Sequence, residues 1–264
     1  MHTMNGLTAL ITGPTSGIGE QFAFRLSKEG YNLVLVSRNM EKLKSLSEKL
    51  SQDHGIQAQF VAADLSNLEA PQAVFEATNK LGVQVDVLIN NAGFEVYAPF
   101  VESDWQATQN LLSVNVNALA KLTHLYLPGM LQRGSGNIIN IGSIGSFIPG
   151  PNNAVYAATK AFVLSFSEAI AEELRGSGVY VTCLCPGAVD TPFADKADIN
   201  GTPLFKYTAM KPEAVAEAGL NAMRKTKRVD VPGWLNKSIV FLQRFVPRNL
   251  LTYFSKRAME REES

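Results

Sequence analysis

The feature that most constrains the fold lies near the amino terminus, where the apolar run Leu7–Ile11 ends in a turn holding Gly13, Gly17 and Gly19. The residues after the turn predict a helix that stops at Gly30. A strand, a glycine turn and a helix bring backbone N–H groups and the positive helix end to one point, where a pyrophosphate binds. The G-x-x-x-G-x-G spacing differs from the common G-x-G-x-x-G pattern. The turn predicts a nucleotide site, with a purely structural turn as the alternative.

Apolar runs and helical patterns continue to alternate along the chain. The predicted strands after the first are Asn32–Val36, Gln57–Ala62, Val85–Ile89, Gly136–Ile141, Val179–Leu184 and Arg228–Val231. The predicted helices after the first are 40–52, 67–81, 103–133, 154–175 and 212–225, the second of these starting at the capping box Ser66-Asn67-Leu68-Glu69. Seven strands alternating with helices predict a mostly parallel sheet covered on both faces. We expect one doubly wound, Rossmann-type α/β domain over residues 1–264.

Composition narrows the class of protein. The 264 residues, 46% of them hydrophobic, are enough to bury a full core. Cys183 and Cys185 lie in an apolar run, as small buried side chains do in a reducing compartment, and the three histidines lack metal-ligand spacing. We see no signal-peptide pattern and no apolar run of the ~18 residues that a membrane span needs. The sequence predicts a cytoplasmic protein without a metal site or a nucleic-acid partner.

The charges are unevenly distributed, although the formal net charge is zero. Residues 221–264 carry 10 Lys/Arg and 4 Asp/Glu, so the tail is net positive and the body net negative. Apolar residues recur there at helical intervals among the basic ones, which predicts an amphipathic basic helix or helix pair over about 233–264. We expect its apolar stripe to dock on the parent fold or a sister subunit, with an anionic membrane surface as the alternative. The stripe consists of Leu235, Ile239, Leu242, Val246, Leu250 or Leu251, Phe254 and Ala258.

Ser143, Tyr156 and Lys160 carry the chemistry that the sequence indicates most strongly. In a helix, a spacing of four places the phenol and the ammonium on one face, one turn apart. A free phenol has a pKa of roughly 10, and a cation beside it favours the phenolate, which brings the pKa towards the range of efficient acid–base catalysis. The Ser143 hydroxyl would hydrogen-bond the substrate oxygen. A Tyr-x-x-x-Lys pair alone also fits a solvated helix face, so the surrounding motifs are needed to distinguish a catalytic pair from a surface pair.

Cofactor preference is indicated at the end of the second strand. An acidic side chain there would hold the ribose 2′-hydroxyl of NAD, but this chain has Ser37-Arg38. An arginine accommodates a 2′-phosphate, so the sequence favours NADP over NAD. The alternative is that Arg38 is an ordinary surface arginine.

From about Gly6 to Phe193 the chain resembles the classical short-chain dehydrogenase/reductase family. The matching motifs are Thr12-Gly13-x-x-x-Gly17-x-Gly19, Asp64-Leu65, Asn90-Asn91-Ala92-Gly93, Asn115, Ser143, Tyr156-x-x-x-Lys160 and Pro186-Gly187-Ala188-Val189-Asp190-Thr191. Each match alone is weak, but their common order is specific.

The resemblance implies an oxidoreductase that transfers hydride between NADPH and a ketone or aldehyde, with Asn115, Ser143, Tyr156 and Lys160 as the catalytic residues. Tyr156 would give its proton to the carbonyl oxygen that Ser143 holds, Lys160 would bind the nicotinamide ribose and lower the tyrosine pKa, and Asn115 would hold a water. It also implies a homodimer or homotetramer built on the helices 103–133 and 154–175. The implied cofactor-binding residues are Gly13, Thr15, Ser16, Gly17, Ile18, Gly19, Ser37, Arg38, Asp64, Leu65, Asn91, Ala92, Gly93, Tyr156, Lys160, Pro186, Gly187, Val189 and Thr191.

The substrate is less defined by the sequence. We expect a hydrophobic small-molecule carbonyl or alcohol and a lid between Thr191 and Lys211. Glu95 departs from relatives that carry glycine after Phe94; we expect an exposed loop residue, with contact to a polar or cationic substrate group as the alternative. Two other functions remain open, a nicotinamide-sensing binding protein and a peripheral membrane reductase of acyl or steroid-like ketones. The expected apolar pocket residues are Phe94, Val96, Ile144, Phe147, Phe193 and Phe205.

Overall fold

The computed structural model describes residues 6–192 and 202–259. Seven strands in these ranges form one all-parallel sheet of order β3-β2-β1-β4-β5-β6-β7. The strands are β1 (Thr8–Thr12), β2 (Asn32–Ser37), β3 (Ala58–Ala62), β4 (Val87–Asn90), β5 (Gly136–Ile141), β6 (Val179–Leu184) and β7 (Val229–Asp230). The predicted seven-stranded parallel sheet is confirmed. The predicted single domain over 1–264 stays a prediction.

Helices surround the sheet. They are α1 (Gly17–Lys28), α2 (Met40–His54), α3 (Ala70–Lys80), α4 (Trp105–Leu112), α5 (Leu119–Arg133), α6 (Ala154–Glu173), α7 (Pro203–Thr208), α8 (Pro212–Arg224), α9 (Trp234–Leu242) and α10 (Arg248–Met259). A π-helical segment, Ser113–Ala118, joins α4 to α5, and short 3-10 turns cover Phe100–Glu102, Ile144–Ser146 and Gln243–Phe245.

Two buried clusters show how the strands divide their side chains between the faces of the sheet. Ala9 and Ile11 of β1 pack with Phe22 of α1 in one cluster. Leu10, between them in sequence, packs with Leu122 of α5 in another. The alternation follows from the two-residue period of a strand. Helices on both sides are therefore needed to keep the sheet from water.

The start of α3 differs from its prediction. The sequence Ser66–Glu69 predicts a capping box, but the helix begins at Ala70 with Pro71 in its first turn. The Ser66 hydroxyl and backbone N–H both donate to the Asp64 carboxylate, at 2.8 and 3.0 Å. This local turn uses the serine that the capping box would need.

A buried polar strap ties the sheet to the two long helices behind the site. The Asn90 amide donates to Asn140 Oδ1 of the next strand at 2.9 Å and to the Thr123 hydroxyl of α5 at 3.1 Å. The Asn140 amide in turn donates to the Ser167 hydroxyl of α6 at 2.9 Å. Buried polar groups must be paired, so these contacts fix where α5 and α6 lie against β4 and β5.

By length and composition alone, α6 is apolar enough to cross a membrane. The helix nevertheless packs against β5 and β6. Val163 and Ser167 on its inner face are buried, and Lys160 on the same face contacts the backbone of β5. The buried core helix of a folded domain can be as long and as apolar as a membrane span, so the composition of α6 does not distinguish the two.

The carboxyl-terminal extension forms two helices, α9 and α10, as predicted for about 233–264, with residues 260–264 outside the described part. It docks at two points. Asn236 is buried against Gly187, where a Cβ would lie 2.5 Å from Asn236 Oδ1, and its amide donates to the Pro232 carbonyl at 3.0 Å. At the other end, the Tyr97 hydroxyl donates to the Met259 carbonyl.

Candidate active site

The candidate site lies at the carboxyl ends of the strands. The sheet order reverses between β1 and β4, and in such sheets ligands bind in the crevice that this reversal opens. A cavity of about 860 Å³ occupies this edge, at the upper end of the range for ligand sites. All but two of the predicted catalytic and cofactor-binding residues line it. Those that do are Gly13, Thr15, Ser16, Gly17, Ile18, Ser37, Arg38, Asp64, Leu65, Asn91, Ala92, Gly93, Ser143, Tyr156, Lys160, Pro186, Gly187, Val189 and Thr191.

Gly19, predicted to bind cofactor, lies outside the cavity lining. A Cβ there would approach the Gly13 carbonyl to 2.3 Å and the Asn91 amide to 2.4 Å. Glycine at this position therefore lets α1 pack directly under the turn. Gly13 has a left-handed φ of +67°, which favours glycine, and a Cβ on Gly17 would meet Thr191 Cγ2 at 2.9 Å. The turn leaves bare backbone facing the cavity, as a pyrophosphate cradle requires.

Thr12 and Asn91 join the ends of β1 and β4. The Thr12 hydroxyl accepts the backbone N–H groups of Asn91 and Ala92 at 3.0 and 2.9 Å and donates to the Ile89 carbonyl at 3.3 Å. The Asn91 amide donates to the carbonyls of Thr12 and Gly13 at 2.9 and 3.0 Å. The glycine turn is thus held from both sides of the crevice.

Polar side chains gather at the end of β2. The hydroxyls of Thr15 and Ser37 are 3.4 Å apart, and Arg38 Nη1 lies 3.9 Å from an Asp64 carboxylate oxygen. Burial would raise the pKa of Asp64, but the hydrogen bonds from Ser66 and the charge of Arg38 hold that pKa below its ordinary value. The Arg38 side chain is 74% exposed, so its guanidinium can turn towards an anion bound beside Ser37.

Tyr156 and Ser143 meet at the other end of the cavity. The Ser143 hydroxyl, which starts the Ile144–Ser146 turn, accepts the Gly145 N–H at 3.0 Å and also hydrogen-bonds the Tyr156 phenol. Burial and the Glu95 carboxylate raise the pKa of Tyr156, while the bond to Ser143 lowers it. The sequence led us to expect a lowered pKa through Lys160. In the protein alone that expectation is wrong, because desolvation of the phenol is the larger effect.

Lys160 is held beneath the tyrosine. Its Nζ donates to the Ile141 carbonyl at 2.8 Å and lies 5.5 Å from the centre of the Tyr156 ring. Burial lowers the pKa of Lys160 to about 8. Cys183, Cys185 and the Glu95 carboxylate act in the opposite direction and raise this pKa, but by less. The two cysteines are buried and free, with their sulfur atoms 3.6 Å apart.

Asn115 lies outside the cavity lining and is almost fully buried. It sits in the π-helical segment, a distortion that often marks functional sites. Its amide donates to the Phe94 carbonyl at 3.0 Å and to the Thr159 hydroxyl at 3.2 Å, and its oxygen accepts the Phe94 N–H at 3.2 Å. The side chain bridges the loop after β4 to α6, within one residue of Lys160.

The expectation that Glu95 is an exposed loop residue is wrong. Its carboxylate lines the cavity and accepts a 2.6 Å hydrogen bond from the amide of buried Asn153. Burial raises the pKa of Glu95 to about 7, while Lys160 and the Asn153 hydrogen bond lower it. The sequence carried one signal, a carboxylate where relatives have glycine, but it could not show that the loop turns inward.

The apolar part of the cavity differs in part from its prediction. Phe94, Ile144 and Phe205 line it as expected, whereas Phe147 packs into a neighbouring core cluster and Val96 is outside the lining. Phe193 and much of the predicted lid lie outside the described residues. The extension supplies further lining residues, and four of them, Ile239, Leu251, Phe254 and Ala258, belong to the stripe that we expected to dock on the parent fold or a sister subunit. The lining residues of the extension are Ile239, Leu251, Phe254, Ser255, Ala258 and Met259.

Within residues 6–192 and 202–259, no group of three or more His, Cys, Asp or Glu side chains is arranged to hold a metal ion.

A family model described as short chain dehydrogenase matches residues 7–200. The chain therefore belongs to the short-chain dehydrogenase family of oxidoreductases. It is 34% identical over 231 residues to an uncharacterized oxidoreductase of Staphylococcus aureus, which covers 88% of this chain and 96% of that protein.

Two further relatives are informative. The chain is 37% identical over 193 residues to a very-long-chain 3-oxoacyl-CoA reductase of Rattus norvegicus, covering 72% of this chain and 61% of the rat protein. The fold of this chain matches that of a solved short-chain dehydrogenase from Sphingobium yanoikuyae in complex with NADPH. The TM-score is 0.80 and the sequence identity 31%, and the match covers 92% of this chain and 97% of the other.

Replacing Glu95 by glutamine tests its buried position. Because the folded-state pKa of about 7 is above the ordinary 4.5, ionisation of Glu95 costs folding stability as pH rises through this interval. Glutamine keeps an acceptor for Asn153 but does not titrate. We expect the melting temperature of Glu95→Gln minus that of the wild type to increase from about pH 5 to about pH 8. A pH-independent difference would contradict the assignment.

Proposed function

We propose that this protein is an NADPH-preferring reductase of a hydrophobic ketone or aldehyde, reversible as an alcohol dehydrogenase. The observation that carries the proposal is the cavity itself. One end holds the bare glycine turn and Arg38, and the other holds Tyr156, Ser143 and Lys160. A dinucleotide stretched along the strand ends would bring its nicotinamide to the tyrosine.

The residues present fit a dinucleotide. A pyrophosphate would meet the backbone of the Gly13–Gly17 turn and the N-terminus of α1, since that backbone is bare and carries the positive helix end. Asp64 and Leu65 would border the adenine, and Asn91, Ala92 and Gly93 the ribose side. The Pro186–Thr191 loop would border the nicotinamide.

Preference for NADPH follows from the polar group at the end of β2. Thr15, Ser37 and Arg38 offer hydroxyls and an exposed guanidinium, and no carboxylate directly follows the strand to hold a 2′-hydroxyl. Asp64 is 3.9 Å from Arg38, a loose pair that a phosphate would outcompete through two charged hydrogen bonds. The NADPH complex of the Sphingobium relative supports the same choice.

In carbonyl reduction, the bound nicotinamide supplies the hydride, and the protein supplies orientation and a proton. Ser143, oriented by the Gly145 N–H, would donate to the substrate oxygen, and Tyr156 would give that oxygen its proton. Lys160 would hold the nicotinamide ribose and stabilise the phenolate that remains. Asn115 fixes the loop carrying Phe94 against α6, and we assign to it the positioning of Lys160 and of a proton-relaying water.

The substrate end of the cavity is apolar. Phe94, Ile144, Phe205 and Leu251 surround it, with Glu95 as its carboxylate. Such a lining favours a bulky hydrophobic carbonyl compound and orients it with few polar contacts. The similarity to a very-long-chain 3-oxoacyl-CoA reductase supports an acyl ketone as the first class to assay.

We further propose self-association through the outer faces of α4, α5 and α6. On α6 this face presents Ala158, Ala161 and Phe162, with the rings of Phe162 and Phe166 stacked 5.5 Å apart. Exposed Trp105 begins the neighbouring helix. Small residues beside aromatic ones allow helices of two subunits to approach closely.

We also retain cytoplasmic localisation as a prediction.

The catalytic assignment is tested with Tyr156→Phe and Lys160→Ala. Tyr156→Phe should lower kcat by about 100-fold or more, because the proton donor is lost, and leave the Kd for NADPH nearly unchanged. Lys160→Ala should impair both kcat and NADPH binding. Steady-state kinetics with a panel of bulky ketones and fluorescence titration of NADPH measure these quantities, with the exposed Tyr180→Phe as the matched control. A Tyr156→Phe enzyme with near-normal kcat would refute the role.

Cofactor preference is tested with Arg38→Ala. Loss of a charged hydrogen bond costs about 1.5–3 kcal/mol, so kcat/KM for NADPH should fall by about 10- to 100-fold while the value for NADH changes little. Arg38→Lys keeps the charge but not the two-pronged geometry, so its kcat/KM for NADPH should lie between those of the wild type and Arg38→Ala. An unchanged NADPH/NADH ratio in Arg38→Ala would exclude this residue as the discriminator.

Self-association is tested by light scattering. The wild type should be a dimer or tetramer at micromolar concentration, and Phe162→Glu should shift it towards the monomer because a charge would be buried at the interface. Met40→Glu, at a more exposed apolar position on α2, should leave the oligomeric state unchanged. A monomeric wild type, or an effect of both variants alike, would speak against this interface.

A further inference from the structure

The C-terminal extension carries an unusual outer surface. Of the 17 large apolar side chains exposed among the described residues, seven lie between Trp234 and Phe254. Such a concentration in one short segment is more than the scattered exposure normal for a protein surface. The seven are Trp234, Phe241, Leu242, Phe245, Leu250, Tyr253 and Phe254. We call them the outer apolar face.

Helical spacing gathers these side chains rather than scattering them. Trp234 and Phe241 are two turns apart on one side of α9, and Phe245 continues the line with its ring 5.5 Å from that of Phe241. On α10, Tyr253 and Phe254 are neighbours with ring centres 5.8 Å apart, and Leu250 lies one turn before them. Each helix therefore presents an aromatic edge to solvent.

The charges between these side chains are all of one sign. From Val231 to Met259 the sequence has five basic residues and no acidic one. All five are exposed, and the guanidinium of Arg257 lies over the Tyr253 ring at 5.3 Å. Exposed aromatic rings interleaved with cations are the composition of a helix that lies in a bilayer interface. The five are Lys237, Arg244, Arg248, Lys256 and Arg257.

The same two helices wall the cavity. Ile239, Leu251 and Ala258 line it from within, and Phe254 lines it while remaining 59% exposed. Phe254 thus connects the apolar interior of the cavity with the outer apolar face. A hydrophobic molecule at that face would be one side chain away from the site.

We propose that the outer apolar face and its five cations seat the protein on an anionic bilayer surface, with the Phe254 side of the cavity turned towards the lipid. A second copy of this chain is a poorer occupant, because it would bring five cations against five cations. Anionic headgroups satisfy these charges, and the aromatic rings enter the headgroup layer. That the bound membrane also delivers hydrophobic substrate rests on the proposed reductase function; the docking itself does not.

Vesicle sedimentation of the full-length protein tests the docking without any turnover. The protein should sediment with phosphatidylcholine vesicles that contain phosphatidylserine, much less with pure phosphatidylcholine, and should be released as salt screens the charges. Trp234→Ser combined with Phe245→Ser, neither of which lines the cavity, should lower the partition coefficient at least tenfold. Met40→Ser combined with Phe100→Ser, two exposed apolar positions outside the extension and the proposed subunit interface, should leave it unchanged.

Several outcomes would overturn the proposal. They are no binding to anionic vesicles, equal binding to neutral ones, insensitivity to salt, or equal loss in both variant pairs. A fall in oligomeric state of Trp234→Ser/Phe245→Ser without wild-type vesicle binding would assign the face to a second copy instead. Melting temperatures and NADPH binding of the variants should match the wild type, which separates a docking defect from misfolding. Failure of catalysis with intact vesicle binding would count against the proposed function alone.

Discussion

The hydrogen bonds between Thr12 and Asn91 are the contact on which the site depends. They lie where the strand order reverses, so no strand pairing beyond the last residues of β1 and β4 would otherwise hold the crevice in shape. The Thr12 hydroxyl uses its donor and both acceptor positions, and the Asn91 amide binds two carbonyls of the glycine turn. Because Gly19 packs directly against the Gly13 carbonyl and the Asn91 amide, α1, the turn and the end of β4 are in direct contact. These contacts hold the bare backbone of the turn towards the cavity.

At the other end of the cavity the organising effect is electrostatic. Tyr156, Lys160 and Glu95 are all buried there; the Glu95 carboxylate raises the pKa of both Tyr156 and Lys160, and the Lys160 ammonium lowers the pKa of Glu95. Burial pushes all three towards their neutral forms: it raises the pKa of the phenol and the carboxyl and lowers that of the ammonium. A ligand that adds charge or removes water therefore shifts the proton distribution of the whole group. Removing the Glu95 carboxylate would therefore change the acid–base behaviour of both Tyr156 and Lys160.

Local patterns were sufficient to predict the seven-stranded parallel sheet and most of the cofactor-binding residues that line the cavity. Most of these residues lie in motifs that follow strands, and parallel strands all end at the same edge. Glu95 and Asn115 show where that reasoning stops. Whether a loop side chain turns inward depends on a partner such as Asn153, 58 residues away, and no local pattern encodes it. The lysine effect on Tyr156 was misjudged for a related reason: burial, not proximity in sequence, determines the sign of the pKa shift.

The extension shows how one segment can serve two environments. A helix with apolar residues on one side needs one partner; α9 and α10 have apolar residues facing the cavity and further ones facing solvent. The packing of Asn236 against Gly187 and the hydrogen bond from Tyr97 to the Met259 carbonyl hold the inner side of the extension against the body of the protein. Turning the outer residues inward would break these contacts. Between Val231 and Met259 this exposed aromatic surface is accompanied by basic and no acidic side chains, a composition that suits a partner that is both apolar and anionic.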